Sequence, residues 1–144
     1  MQEQKVIIHT DGACKGNPGL GSWAATLEYK GTQKEISGVV KDTTNNQMEL
    51  KAVIEALKCL KKICDVVIYT DSQYVQKGIT EWIQGWKQRN WKKVKNIELW
   101  IELDNLTIGH KIDWQWVRGH NGHTGNEYVD KLANLAIENY LANK

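Results

Sequence analysis

Apolar residues along the chain keep two rhythms: short alternating runs near the start, and helical spacing after residue 44. In KVIIHTDGACKGNPG, residues 5–19, the strand formers Val6, Ile7, Ile8 and Thr10 lead to Asp11. That strand is expected to break at Gly12, with Gly16, Asn17, Pro18 and Gly19 as a turn cluster behind it. Residues 22–28 (SWAATLE) give a second strand, residues 29–32 a short turn, and residues 33–40 a third strand. An antiparallel meander is predicted from this spacing. Asp42, Thr43, Thr44, Asn45 and Asn46 are helix-capping types, and a long helix is expected from Gln47 to about Lys62. Its apolar face is Ala52, Val53, Ala56, Leu57 and Leu60. Glu49 precedes Ala52 by three residues and Val53 by four, so it shares that inward face. Lys58, Lys61 and Lys62 suit the negative end of the helix dipole.

Residues 65–70 (DVVIYT) read as a short buried strand ending at Asp71. Ser72 can cap a helix there, which Gly78 would end. After the basic stretch WIQGWKQRNWKKVK, residues 96–106 predict another helix, with Ile97, Trp100, Ile101 and Leu103 inward. Residues 112–117 (IDWQWV) alternate like a strand, and RGHNGHTGN is a loop too polar to pack. The last helix, residues 125–141, would pack Val129, Leu132, Ala133, Ala136, Ile137 and Tyr140, with Asp130 beside that stripe. Three strands followed by alternating helices and strands predict an α/β fold, a mixed sheet covered by helices with a basic helical protrusion. A single domain over residues 1–144 is expected.

Composition narrows the class. Hydrophobic residues make up 41% of the chain and charged ones 25%, the balance of a globular domain. No apolar run is long enough for a membrane span, and no signal-like segment opens the chain. Cys14, Cys59 and Cys64 form no CxxC pair, which fits free thiols in a reducing compartment. A soluble, cytoplasmic monomer is therefore expected. The net charge of +2 hides an asymmetry: Lys87, Arg89, Lys92, Lys93 and Lys95 fall in a stretch without an acid. Setting those five aside leaves 14 of the 19 basic residues against 17 acidic ones, a net of −3. Local positive charge of this kind is a nucleic-acid footprint.

The candidate chemistry lies in four acids. Asp11 and Asp71 follow strands, while Glu49 and Asp130 lie on early turns of core-facing helices. In open α/β sheets, sites form beyond the carboxyl ends of strands. Four converging carboxylates would raise one another's pKa values, and a divalent cation would reverse that penalty. All-oxygen ligands select Mg²⁺ or Mn²⁺ over Zn²⁺. Singly, each acid has a plainer reading, Asp71 as a cap or turn former and Glu49 as a boundary residue. His120 and His123 have no cysteine pair to complete a zinc site, so a polar loop is the simpler reading. GNPGLG lacks the spacing of a phosphate loop and reads as a turn. Trp23, Trp100, Trp114 and Trp116 are assigned to the core. Trp82 and Trp86 are assigned to a stacked pair, and Trp91 either lies against a substrate backbone or serves the structure.

TDGACKGNPGLGSW, TTNNQMEL, YTDSQYV and WVRGHNGHTGNEYVD resemble, in order and spacing, the four motifs of the bacterial type 1 ribonuclease H family. The resemblance runs essentially end to end. It implies a five-stranded sheet of order 3-2-1-4-5 and hydrolysis of the RNA strand of RNA–DNA hybrids, leaving 3′-hydroxyl and 5′-phosphate ends. It also implies that Asp11, Glu49, Asp71 and Asp130 hold two Mg²⁺ ions, with Mn²⁺ able to substitute. His120 resembles the histidine that aids proton transfer or product release, and Glu127 an acid near the second metal. Asn17, Asn45, Asn46 and Gln73 match positions contacting the hybrid in its minor groove, and Thr44, with the Asn17 region, a pocket for a DNA-strand phosphate. Trp86, Lys87, Arg89, Trp91, Lys92 and Lys93 fall in the protrusion that would meet the substrate. His123 carries no transferred role. Some relatives carry arginine where this chain has Asp42, which would weaken the phosphate contact.

Two other classes compete. A non-catalytic hybrid- or duplex-binding module would use the basic protrusion, but it gains nothing from acids facing phosphates. A strand-transfer enzyme of related fold would be larger and carry a separate DNA-binding domain.

Overall fold

The computed structural model describes residues 5–117 and 124–143. Five strands form one sheet: β1 (Val6–Lys15), β2 (Gly19–Tyr29), β3 (Thr32–Thr43), β4 (Asp65–Thr70) and β5 (Lys111–Trp116), in the order β3-β2-β1-β4-β5. β1, β2 and β3 pair antiparallel, as the meander predicts, while β4 and β5 join parallel to β1. The implied strand order holds.

Alternation along β1 gives the sheet two faces. Val6 and Ile8 pack into a core with Leu50, Val53, Ile54, Ala56 and Leu57 of α1 (Asn45–Lys58) and with Trp100 and Leu103 of α4 (Ile97–Thr107). Against the other face lies α5 (Thr124–Ala142), which buries Val129, Ala133 and Ile137. Ser22 of β2 donates to the Ala133 carbonyl, and Tyr128 donates to Glu35 of β3.

Several expectations need correction, mostly because a tertiary contact overrides a local signal. β1 does not break at Gly12, which pairs in register with Trp23. A Cβ at Gly12 would lie 2.6 Å from the Glu49 nitrogen and 2.7 Å from the Met48 carbonyl carbon, so glycine lets strand and helix touch there. α1 ends at Lys58 rather than Lys62, because its last turn tightens into bonds from Cys59 and Leu60 to carbonyls three residues back. Nor does Gly78 end a helix. α2 (Gln73–Lys77) passes through a π-helical turn, Gly78–Trp82, into α3 (Ile83–Gln88). A Cβ on Gly78 would fall 2.1 Å from the ring of Trp100, so here too glycine answers to packing.

On α4, Trp100 and Leu103 are buried, but Ile97 and Ile101 are each 36% exposed. They stand about one helical turn apart on the flank the core does not cover. Trp116 is 37% exposed at the end of β5 rather than in the core, with its indole N–H donating to the Asp71 carbonyl. Trp114 is half-buried against the core, and Trp23 lies half-buried across Gly38. The three cysteines are free thiols, as expected.

Candidate active site

Register sets the first two acids side by side. β1 and β4 run parallel with His9 opposite Tyr69, so Asp11, two residues on and still paired to β2, stands beside Asp71, directly after β4. Asp71 is the residue before Ser72, whose hydroxyl caps α2 by accepting from the Val75 N–H at 3.2 Å. Glu49 comes from the first turns of α1, which Thr44 caps by accepting from the Gln47 N–H at 3.2 Å. Because Gly12 has no side chain, Glu49 can approach β1 at this point. Oxygen atoms of Asp11, Glu49 and Asp71 all lie within 4.8 Å of one another.

Asp11 is only 3% exposed. Burial first, then the charge of Asp71, then a hydrogen bond and charge from Asp130 push its carboxyl up to about 9. Glu49 is also held well above the usual carboxylate range, by burial first and then by the charges of Asp11 and Asp71. A backbone hydrogen bond at Gly12 acts against both shifts. Two carboxyl groups can share a hydrogen bond only if one keeps a proton, which fits Asp11 against Asp130. Among the described residues, Glu49 also has one buried oxygen, Oε1, with no hydrogen-bond partner. A crowded all-oxygen donor set with an orphaned acceptor suits a hard divalent cation.

The structure therefore brings together Asp11, Glu49 and Asp71, with Asp130 of α5 against Asp11. Glu127, one turn before Asp130, is exposed. His120 and His123 lie outside the described residues.

The groups assigned to substrate divide in two. Asn17 in the β1–β2 turn accepts from the Asn45 N–H at 3.1 Å, so the turn and the α1 N-terminus, with its cap Thr44, form one surface. Asn46 and Gln73 are exposed beside it, and Asp42 is exposed at the end of β3. The second group stands on the protrusion. Trp86 packs against Trp82, Trp91 and Trp100 with ring centroids 6.1, 6.2 and 5.1 Å away, so Trp91 belongs to an aromatic cluster and is half-buried. Arg89, Lys92 and Lys93 are exposed, whereas Lys87 is paired with Asp104 at 2.9 Å. That ion pair could not be read from the sequence, since the partners come from different helices.

A relay joining the two groups also leaves no mark in the sequence. Gln47 donates to Asn96 at 3.1 Å, Asn96 donates to the Tyr74 hydroxyl at 3.1 Å, and the Trp100 indole donates to the same hydroxyl at 3.0 Å. Its members lie 22 to 49 residues apart, beyond any local pattern. A cleft of about 830 Å³, lined by Val6, Leu27, Leu60 and Ile63 among others, lies at the opposite end of β1 and β4 and includes none of the site residues.

Known proteins of similar sequence and shape agree with this geometry. The RNase H family model matches residues 3–138. The ribonuclease H of Polaromonas naphthalenivorans (strain CJ2) is 60% identical, over 97% of this chain and 91% of its own length. Among solved structures, LC9-RNase H1, described as a type 1 RNase H with the type 2 active-site motif, superposes with a TM-score of 0.86 at 34% identity. It covers 94% of this chain and 73% of that one. LC11-RNase H1, solved in complex with an RNA/DNA hybrid, shares the fold at a TM-score of 0.74 and 24% identity, covering 95% of this chain and 99% of that one. With a family match over nearly its whole length and a relative 60% identical across almost all of both chains, the chain belongs to the ribonuclease H family.

Proposed function

We propose that this chain hydrolyses the RNA strand of RNA–DNA hybrids at the carboxylate cluster, with two Mg²⁺ ions as cofactors. The observation that carries this reading is the convergence of Asp11, Glu49 and Asp71 oxygens within 4.8 Å of one another. Burial first, and then the repulsion of neighbouring anions, hold the carboxyls of Asp11 and Glu49 above the usual range. Asp11, Glu49, Asp71 and Asp130 would hold the ions, which would supply an activated water and neutralise the leaving oxygen of an in-line displacement.

The chain's own groups do the rest. Thr44, with the turn around Asn17, offers a pocket for a phosphate of the DNA strand. Asn17, Asn45, Asn46 and Gln73 carry amides able to hydrogen-bond sugars and base edges in the minor groove, where 2′-hydroxyls mark RNA. Arg89, Lys92 and Lys93 add backbone contacts, which position a duplex without reading its sequence. His120 would assist proton transfer or product release, and Glu127 would assist turnover. The products would carry 3′-hydroxyl and 5′-phosphate ends.

Labelled hybrid, duplex RNA and duplex DNA, each incubated with and without Mg²⁺, test the reading. Cleavage confined to the RNA of the hybrid and to tubes containing the ion is expected. Tight hybrid binding without cleavage at any divalent ion concentration would leave only the binding-module alternative.

A further inference from the structure

Directly beneath the carboxylates lies a pair of rings that the proposed reaction does not use. His9 and Tyr69 are opposed residues of β1 and β4, and their rings stack with centroids 4.8 Å apart and planes 11° from parallel. Each is two residues before an acid of the site, so the ring pair is one pleat below the Asp11–Asp71 pair on the same face. That face is the one α5 covers. The second residue of α5, Gly125, sits so close to the His9 ring that a Cβ there would fall 2.2 Å from Nε2, 2.4 Å from Cδ2 and 2.6 Å from Cε1.

The contact is thus a seat with no slack. Tyr69 backs His9 from the neighbouring strand, and the outer edge of the imidazole meets the first turn of α5 with no side chain between them. Asp130 follows Gly125 by five residues on the same helix, and its carboxyl reaches Asp11. The other anchors of α5, Tyr128 on Glu35 and Ala133 on Ser22, fix it to β3 and β2. Of these contacts, His9 alone ties the first turn to the strand that carries Asp11.

We infer that His9, backed by Tyr69, is a positioning residue that sets the height of the α5 N-terminus and so the approach of Asp130 to Asp11. This rests on the proposed role of Asp130 as a metal ligand. What the seat uses is the face of the ring against Tyr69 and its edge against Gly125. A misplacement of about 1 Å at a reacting centre can cost on the order of 10²-fold in rate.

The test compares His9→Ala, His9→Phe, Asp130→Asn and the double variant His9→Ala/Asp130→Asn. It reads kcat and KM on hybrid, melting temperature, and Mn²⁺ affinity of the substrate-free protein by calorimetry. His9→Ala should lower kcat about 10- to 100-fold and weaken Mn²⁺ binding, with KM within about twofold. His9→Phe, which keeps the stack and the seat, should restore both. The double variant should be no worse than Asp130→Asn alone, because the seat acts through that carboxylate. Should His9→Ala fold poorly, Gly125→Ala disturbs the same seat from the helix side by overpacking it, and its defect should shrink when His9→Ala makes room for the added methyl. A lower melting temperature with kcat and Mn²⁺ affinity unchanged would make His9 merely structural and overturn the inference, as would losses that multiply in the double variant. If Asp130→Asn itself left metal affinity and rate intact, the role proposed for Asp130 would fall first, taking this one with it.

Discussion

The carboxylate cluster and the basic protrusion are built in opposite ways. Asp11, Glu49, Asp71 and Asp130 come from four elements spread along most of the chain, and they meet only because the sheet and two helices converge. The protrusion is nearly contiguous, its cations within a stretch of residues 87–95. At the cluster, the acids are crowded, Asp11 is buried, and the carboxyls of Asp11 and Glu49 are held above the usual range; on the protrusion, charge is exposed and separated by aromatic packing. The first arrangement concentrates free energy on a few atoms and suits chemistry. The second spreads it over many weak contacts and suits holding a polymer. Substitutions in the two regions should therefore fail differently.

The largest expected effect is at the cluster. Asp11→Asn should reduce single-turnover cleavage by at least about 10³-fold, since metal-held charge is worth several kcal/mol in such reactions. Hybrid affinity measured alongside should change little, and substantial residual cleavage would remove Asp11 from the catalytic set. Next, neutralising Arg89, Lys92 and Lys93 together should raise KM roughly 10- to 100-fold with kcat within about twofold. The log–log salt slope of binding should fall by about 0.9 for each phosphate that is no longer neutralised. An unchanged slope would mean the protrusion never meets the substrate.

Gly78→Ala sharpens the comparison by disturbing the root of the protrusion alone. With a methyl forced toward the Trp100 ring, overpacking of about 1–3 kcal/mol should lower the melting temperature by roughly 2–12 °C. KM should rise while kcat at saturating hybrid stays near wild type; a kcat loss as large as that of Asp11→Asn would mean the two regions are not separable.

A further effect on stability concerns pH. The Asp11 carboxyl goes from an ordinary value of 3.8 to about 9 on folding. Below about pH 4 it is protonated in both states, and above that the unfolded chain ionises while the folded one resists. Stability of the metal-free protein should therefore fall as pH rises from about 4 to about 9. Melting in EDTA across that window should show a shallower decline for Asp11→Asn, with a higher melting temperature near neutrality. Added Mg²⁺ should stabilise the wild type more than the variant. Equal slopes and equal Mg²⁺ shifts would mean the acids do not share one site. Smallest of all, Lys87→Gln should change KM less than twofold, because its ammonium is already engaged by Asp104. A KM effect matching that of Lys92→Gln would show that the pair opens for substrate.

What is legible in the sequence follows the same division. Strand alternation, a capping residue ahead of α1 and of α2, and Asp71 directly after β4 are local signals that stand where their patterns put them, whereas Asp11 lies inside a strand that runs on to Lys15. Gly12 and Gly78 mislead because glycine signals a turn locally, whereas here each yields space to a distant group, the α1 backbone or the Trp100 ring. Ile97 and Ile101 carry helical spacing like Trp100, yet periodicity names a face without saying how far the core extends over it. The Gln47–Asn96–Tyr74 relay is silent in the sequence, since a polar residue reads the same whether it faces water or a partner.

Where β1 passes α1 at Gly12, main chain lies against main chain, and this bears on how the lineage can vary. The φ of Gly12 is not in the left-handed region, so the backbone shape would admit other residues and only the lack of room forbids them. Any other residue at position 12 thus has no room unless strand and helix separate in the same step. Exposed Lys15, three positions on, can drift freely. Residue 12 is a dead end in mutational space, held there by a helix that begins more than thirty residues later.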